Sequence, residues 1–284
     1  MSNCIFAYPD RILGATLSSG SWNASYPLNN LKDPLFAKKA RSSNAQLTST
    51  KFDVDFGVER QVRVISIIGH NSSAVAKIRV RLYAGAGHTN LQYDTGWVDV
   101  YSAFWPHGLL EWEDPAFWGG ELTPEDIASY HPDCWLVITP SAARYMLVEI
   151  DDTTNSAGYV ELARCFAAPG WQSGVNISHG AGIAYNTDTQ VQRTLGGVDY
   201  FDIRTGRRAI TGSFDALTIE EGMSKFESQR RLGIHGEMYF IFEPDDTILL
   251  YKQRAMLCRY KQLDQIEFPY FDGASFAFTL EEIL

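Results

Sequence analysis

The feature that most limits what this chain can fold into is a two-residue rhythm of apolar side chains. "KFDVDFG" sets Phe52, Val54 and Phe56 against Asp53 and Asp55, and then reaches Gly57. "KIRVRLYAG" sets Ile78, Val80 and Leu82 against Arg79 and Arg81. Alternation of this kind makes strands with one buried face and one wet face. "QVRVISIIGHN", "CWLVITP", "RYMLVEI" and "GYVELARCF" extend the pattern, and "LQYDTGWVDV" adds a strand with a turn at Asp94-Thr95-Gly96. Six or more such strands, in a chain that is 13% aromatic, predict a β-sandwich.

A length of 284 residues allows one large domain or two ordinary ones. The chain is 45% hydrophobic and 20% charged, which is enough apolar material for a packed core. A net charge of −10 argues against a nucleic-acid partner, which calls for a basic face. No run of 18 apolar residues is present, so no membrane-spanning helix is expected. "MSNCIFAYPDRILGATL" lacks the order of a signal peptide, so synthesis in a cytoplasm is expected. Cys4, Cys134, Cys165 and Cys258 are far apart with no C-x-x-C. They are expected to be buried free thiols, with no paired zinc ligands.

Composition shifts to Gly, Ala and Ser around "FAAPGWQSGVNISHGAG". The boundary drawn there gives a sandwich with an N-terminal arm over 1–168 and a second domain over 169–284. In the second, "GVDYFDIRTGRRAITGSFDAL" reads as two strands around Arg204-Thr205-Gly206. Ile210, Phe214 and Ala216 share a face of the latter strand. Thr218-Ile219-Glu220-Glu221 is a capping box that opens a helix near 219–231. Ile219, Met223 and Phe226 form its apolar stripe, and Gly233 suits its exit. "EMYFIFEPDDTILLYKQRAMLCRY" reads as a hairpin about Glu243-Pro244-Asp245-Asp246, and Phe276, Phe278 and Leu280 share one face of the last strand.

Residues 101–131 break the alternation with Trp105, Trp112, Trp118, several prolines and carboxylates. Exposed tryptophans suit a protein contact or stacking on sugar rings. Glu111 and Glu113 beside Trp112 are what a glycosidase cleft would use, although its paired acids usually come from separate strands. Asp151, Asp152 and Asn155 carry enough oxygens for a structural calcium ion. The same residue types also serve a plain turn, because their side chains bond nearby backbone N–H groups. His70-Asn71 at a strand end, with no second histidine at metal spacing, reads as structural. No motif of a hydrolase, zinc protease or nucleotide-binding loop is present.

"FDVDFGVERQVRVISIIGHNSS", "KIRVRLYA", "YDTGWVDVY" and "ARYMLVEIDDTTNSAGYVELARCFAAPG", in that order, resemble the galactose-binding-like (discoidin-like) jelly-roll sandwich. Together with "NNLKDPLFAKKARSS", they are similar to the version found in tail proteins of long-tailed bacteriophages and prophages. That likeness covers roughly residues 20–170. "ITGSFDALTIEEGMSKFESQRRLGIHGEMYFIFEPDD" resembles the β-barrel with one packed helix of distal tail proteins, although there the barrel comes first and the sandwich second. The resemblance implies a mainly β fold and a structural virion protein of the tail tip or baseplate rather than an enzyme. It implies a ring of identical copies, a hexamer or alternatively a trimer, between the tail tube and the hub or fibre proteins. No cofactor is implied beyond the calcium option. The competing expectation is a carbohydrate-binding tail module that touches host-surface polysaccharide.

Overall fold

The computed structural model describes residues 2–101, 111–113, 132–245 and 253–284. The elements run β1 (Ile5–Ala7), β2 (Thr16–Ser18), a 3-10 turn (Leu28–Lys32), β3 (Ala40–Arg41) and the single-turn α1 (Leu47–Thr50). Next come β4 (Phe52–Ile68), β5 (Lys77–Gly85), β6 (Thr89–Asp94), β7 (Val98–Asp99), β8 (Asp133–Asp151), β9 (Glu161–Leu162) and β10 (Arg164–Ala168). Then follow β11 (Gly170–Gln172), β12 (Gly182–Asn186), β13 (Gln190–Arg193), β14 (Asp199–Asp202), β15 (Arg207–Leu217) and α2 (Ile219–Leu232). The chain closes with β16 (Met238–Ile241), β17 (Ala255–Tyr260), β18 (Ile266–Tyr270) and β19 (Gly273–Glu282). The protein is mainly β, as its alternation demands.

Two compact units result. Ala7–Gly170 makes up most of the sandwich unit, whose main sheet has the order β10-β4-β8-β5-β6, with β2 beside β4 and β7 beside β5. Phe52, Val54, Val80, Leu82, Met146 and Val148 are fully buried in its core, together with Leu31 and Leu162 from outside the main sheet. Gly57 does not end a strand. Its φ of +76° lets β4 bulge, and the pairing with β8 slips between Asp55 and Arg60 before resuming. β4 therefore runs unbroken for 17 residues.

Met1–Phe6, Trp171–Asp245 and Arg254–Leu284 form the helix-bearing unit. β1 lies in its eight-stranded sheet, of order β11-β1-β16-β17-β19-β15-β12 with β18 beside β19, so the N-terminal strand does not serve as an arm of the sandwich. Phe6 anchors the core, with ring centroids 4.9 Å from Phe240 and 5.3 Å from Phe278. Gly212 lies opposite Phe278, whose ring occupies the place of a side chain: a Cβ there would come within 2.8 Å. The sheet is open rather than barrel-like: among the described residues its end strands β11 and β12 do not pair. β12 instead continues away from the sheet as a ribbon. The residues after Arg204-Thr205-Gly206 form β15, which pairs with β12 and β19, whereas β14 pairs with β13. β16 and β17 do pair, as the hairpin reading requires.

Candidate functional site

In the sandwich unit, two segments far apart in sequence meet at the ends of β4 and β8. The Asp152 carboxylate, 2% exposed, accepts from Ser73 N at 3.0 Å, Ser73 Oγ at 2.5 Å and Asn155 Nδ2 at 2.7 Å. Asn155 Nδ2 also donates to the Asn71 carbonyl at 3.0 Å, and Asn155 Oδ1 accepts from Ala157 N at 2.9 Å. Asn71 Oδ1 accepts from Glu161 N at 2.7 Å. The His70 ring packs edge-on to Tyr101 at 5.5 Å, and its Nδ1 accepts from Ser72 N. Asp151 closes β8 opposite Lys77. Both Asp152 oxygens and the Asn155 oxygen accept hydrogen bonds, so the arrangement braces the two segments against each other. An ion would have to displace these bonds to use those oxygens.

Among the described residues the most deeply buried ion pair is Asp10–Arg164, with side chains 3% and 0% exposed and 3.3 Å between Asp10 Oδ2 and Arg164 Nη2. Burial pushes the Asp10 carboxyl up to about 6, against the opposing pull of the Ile12 and Ala167 N–H groups and of Arg164. Of the three tryptophans in the 101–131 stretch, Trp112 is described and is 71% exposed; Glu111 and Glu113 flank it at the surface. Trp105 and Trp118 lie outside the described residues. All four cysteines are free and buried.

The helix-bearing unit holds the arrangement that sequence reasoning missed. α2 opens as expected: Thr218 Oγ1 accepts from Glu221 N, and Glu221 reaches back to Thr218 N. Glu221 also accepts from Gly174 N at 2.8 Å, which ties the helix start to the segment after β11. The apolar stripe, however, points to solvent. Ile219, Met223 and Phe226 are 40%, 48% and 46% exposed, whereas Gly222, Lys225 and Gln229 face the sheet. Gly222 explains the choice, because a Cβ there would stand 2.7 Å from the Ala274 Cβ. The helix comes close to the sheet along its glycine face.

That approach buries Lys225 completely. Its ammonium nitrogen lies 3.3 Å from the Phe6 ring centroid, 4.6 Å from Trp171, 5.9 Å from Phe276 and 6.0 Å from Tyr260. Burial holds the Lys225 pKa well below the usual lysine range. The neighbouring thiols of Cys4 and Cys258 are pushed upward by burial, Cys4 to about 12. In the sequence, Lys225 sits in a polar-looking run, "SKFESQRR", with nothing to mark it as core.

Beyond β12 the ribbon forms a free-standing hairpin, β13–β14, every residue of which is exposed. Val191, Tyr200 and Phe201 lie on its strands, Leu195 and Val198 at its tip and Ile203 at its base, all more than half exposed.

No protein-family model matches this chain. No curated protein matches it. Among solved structures, it is similar to a Streptococcus pneumoniae fucose-binding module at 15% identity and a TM-score of 0.37, over 56% of this chain and 94% of that one. It is similar to the family 32 carbohydrate-binding module of Clostridium perfringens NanJ, in complex with galactose, at 15% identity and a TM-score of 0.36, over 58% of this chain and 99% of that one. It is also similar to SpGH29 at 14% identity and a TM-score of 0.36, over 56% of this chain and 28% of the SpGH29 chain.

Proposed function

We propose that this chain is a structural, self-associating protein of the tail tip of a long-tailed phage, with the sandwich unit as an accessory module. The outward apolar stripe of α2 carries this reading. A helix whose only task was to close its own domain would turn Ile219, Met223 and Phe226 inward. Contiguous exposed apolar surface of this kind belongs to protein interfaces, and obligate interfaces resemble a domain core cut in half. The segment that resembles distal tail proteins contains this same helix. Immunogold electron microscopy of phage particles, with antibody raised to the purified chain, tests the assignment. Label at the tail tip is expected; particles labelled elsewhere or not at all overturn it.

A second reading, carbohydrate binding by the sandwich unit, is favoured by the 71% exposure of Trp112. Tryptophan presents a broad apolar face at low entropic cost. A glycan array with the full chain and with Trp112→Ala tests it. Binding that the substitution abolishes supports the reading, and no binding at millimolar sugar ends it.

A further inference from the structure

The sandwich unit carries two guanidinium groups that the fold brings together and does not neutralise. Arg11 follows the turn at Asp10, and its backbone N–H donates to the Ala167 carbonyl at 2.7 Å, which fixes this turn against β10. Its side chain is half-buried, and Arg11 Nε is shut away from water with no hydrogen-bond partner among the described residues. Arg60 stands exposed where β4 resumes its pairing with β8 after the bulge at Gly57, opposite Ala143. The charge of Arg60 reaches Arg11, where it adds to burial in drawing the Arg11 pKa below the usual arginine range.

The acids that could answer this charge are committed elsewhere. Asp10, next to Arg11 in the chain, is turned inward: its Oδ1 accepts from Ile12 N and Ala167 N, and its Oδ2 accepts from Arg164 Nη2. Asp55, just before the bulge, accepts from Arg144 Nε at 3.0 Å, from Arg144 Nη2 at 3.2 Å and from Gly57 N at 2.8 Å. Among the described residues neither Arg11 nor Arg60 forms an ion pair, with Glu59 or with any other acid. The chain has 34 acidic and 24 basic residues, so an acid would be the commoner neighbour for either arginine. Like charges repel, and a guanidinium nitrogen buried without an acceptor costs stability. An oxyanion between the two groups removes both penalties. It accepts from Arg11 Nε and meets the planar donor fork of Arg60, a geometry that suits phosphate oxygens.

We propose that Arg11 and Arg60 form a binding site for a phosphate-class oxyanion, free or carried on a polymer. The site belongs to the sandwich unit alone and does not rest on the tail-tip reading.

The test measures inorganic phosphate binding to the full chain by titration calorimetry, and its melt in sodium phosphate and in sodium chloride of equal ionic strength. Phosphate also stabilises folded proteins in general, by exclusion from their surface. Arg193→Gln, at a 75% exposed arginine of the helix-bearing unit, is therefore the control. Parent and control are expected to bind phosphate and to melt higher in it than in chloride. Arg11→Gln and Arg60→Gln are expected to bind roughly ten- to a hundredfold more weakly and to lose the part of the rise that exceeds general exclusion. Arg60→Lys keeps the charge without the fork and is expected to fall between. In chloride, Arg60→Gln is expected to melt at or above the parent, because it removes a repulsion; this separates a lost ligand contact from a damaged fold. A parallel titration with polyphosphate identifies the source: tighter binding per phosphate assigns a polymer, and equal binding assigns the free ion. A parent that gives no phosphate binding, or binding that survives in both glutamine variants, overturns the site. Arg60→Gln melting below the parent in chloride overturns the repulsion from which the site is inferred.

Discussion

Lys225→Met should stabilise the protein, by an amount that depends on pH. The lysine is fully buried; the Cys4 and Cys258 thiols act on its charge, and the Tyr260 ring lies 6.0 Å from its nitrogen. Both thiols are pushed upward by burial, so near neutrality they are uncharged and supply no counter-charge. The rings of Phe6 and Trp171 favour a cation, but a desolvated cation–π contact contributes only ~2 kcal/mol. Taking an ammonium out of water costs several kcal/mol, so desolvation is the larger effect and holds the Lys225 pKa well below the usual lysine range. Above that lowered pKa the unfolded chain, with a lysine pKa of ~10.4, binds one more proton than the folded chain. Stability rises with pH between the depressed folded pKa and ~10.4, by ~1.4 kcal/mol per pH unit. Methionine keeps the length, removes the titration and makes favourable contacts with rings. Urea unfolding of parent and variant at pH 7, 8 and 9 reads the difference. The variant should be more stable at pH 7, and its lead should shrink by ~1.4 kcal/mol for each unit gained. A lead that does not change with pH, or a variant several kcal/mol less stable at pH 7, would refute the argument from the lowered pKa.

Arg164→Leu strands the buried Asp10 carboxylate and should cost ~3–5 kcal/mol, seen as a lowered urea midpoint. Asp10, raised by burial from 3.8 to about 6, holds its proton longer in the folded state, so stability is highest below pH 3.8 and declines as pH rises through 6. That share of the pH dependence should vanish in Asp10→Asn, as chemical denaturation from pH 4 to 7 would show. Asp152→Ala removes the acceptor of Ser73 N and Ser73 Oγ and one of the two acceptors of Asn155 Nδ2, and should cost ~1–3 kcal/mol. Calcium should leave the parent melt unmoved, whereas a rise reversed by EDTA would show that the bracing oxygens yield to an ion. Joining Asn186 to Arg207 by Asn-Gly removes the β13–β14 arm at the last pair of the β12–β15 hairpin with a turn suited to it. The melt of the shortened chain should hold or rise; a collapsed fold would mean the arm supports its own domain.

Strand existence was legible because alternation is a local signal. Phe52, Val54, Phe276, Phe278 and Leu280 are buried where the pattern places them. The capping box at Thr218 was legible for the same reason, since donor and acceptor lie three residues apart. The Asp152–Asn155 turn could be read locally, but its partners Ser73 and Asn71 could not, because they arrive from about 80 residues away. Gly57 misled because glycine both ends strands and permits bulges, and only the partner strand decides which. Three apolar residues carry no address, so the unit that β1 joins is not legible locally: Ile5–Ala7 pairs into a sheet whose other strands lie beyond residue 169.

The reversed helix is the most instructive failure. A 3.6-residue apolar stripe says that a helix has a face to bury, and not what buries it. In α2 two requirements compete for the sheet. The stripe offers hydrophobic area, whereas Gly222 offers close approach to Ala274, and close approach brings in Lys225 and Gln229. Taken as a monomer the outcome is costly twice over, because a lysine is desolvated and three apolar side chains stay wet. Both costs fall on one element, which makes accidental surface hydrophobicity a poor account, since scattered exposed residues elsewhere carry no linked penalty. A covering partner would relieve the second cost, and the first fixes which way the helix faces: Lys225, sealed among four rings, holds the stripe outward. The buried lysine and the exposed stripe are thus two sides of one arrangement, and the sequence carries both in the spacing from Gly222 to Phe226.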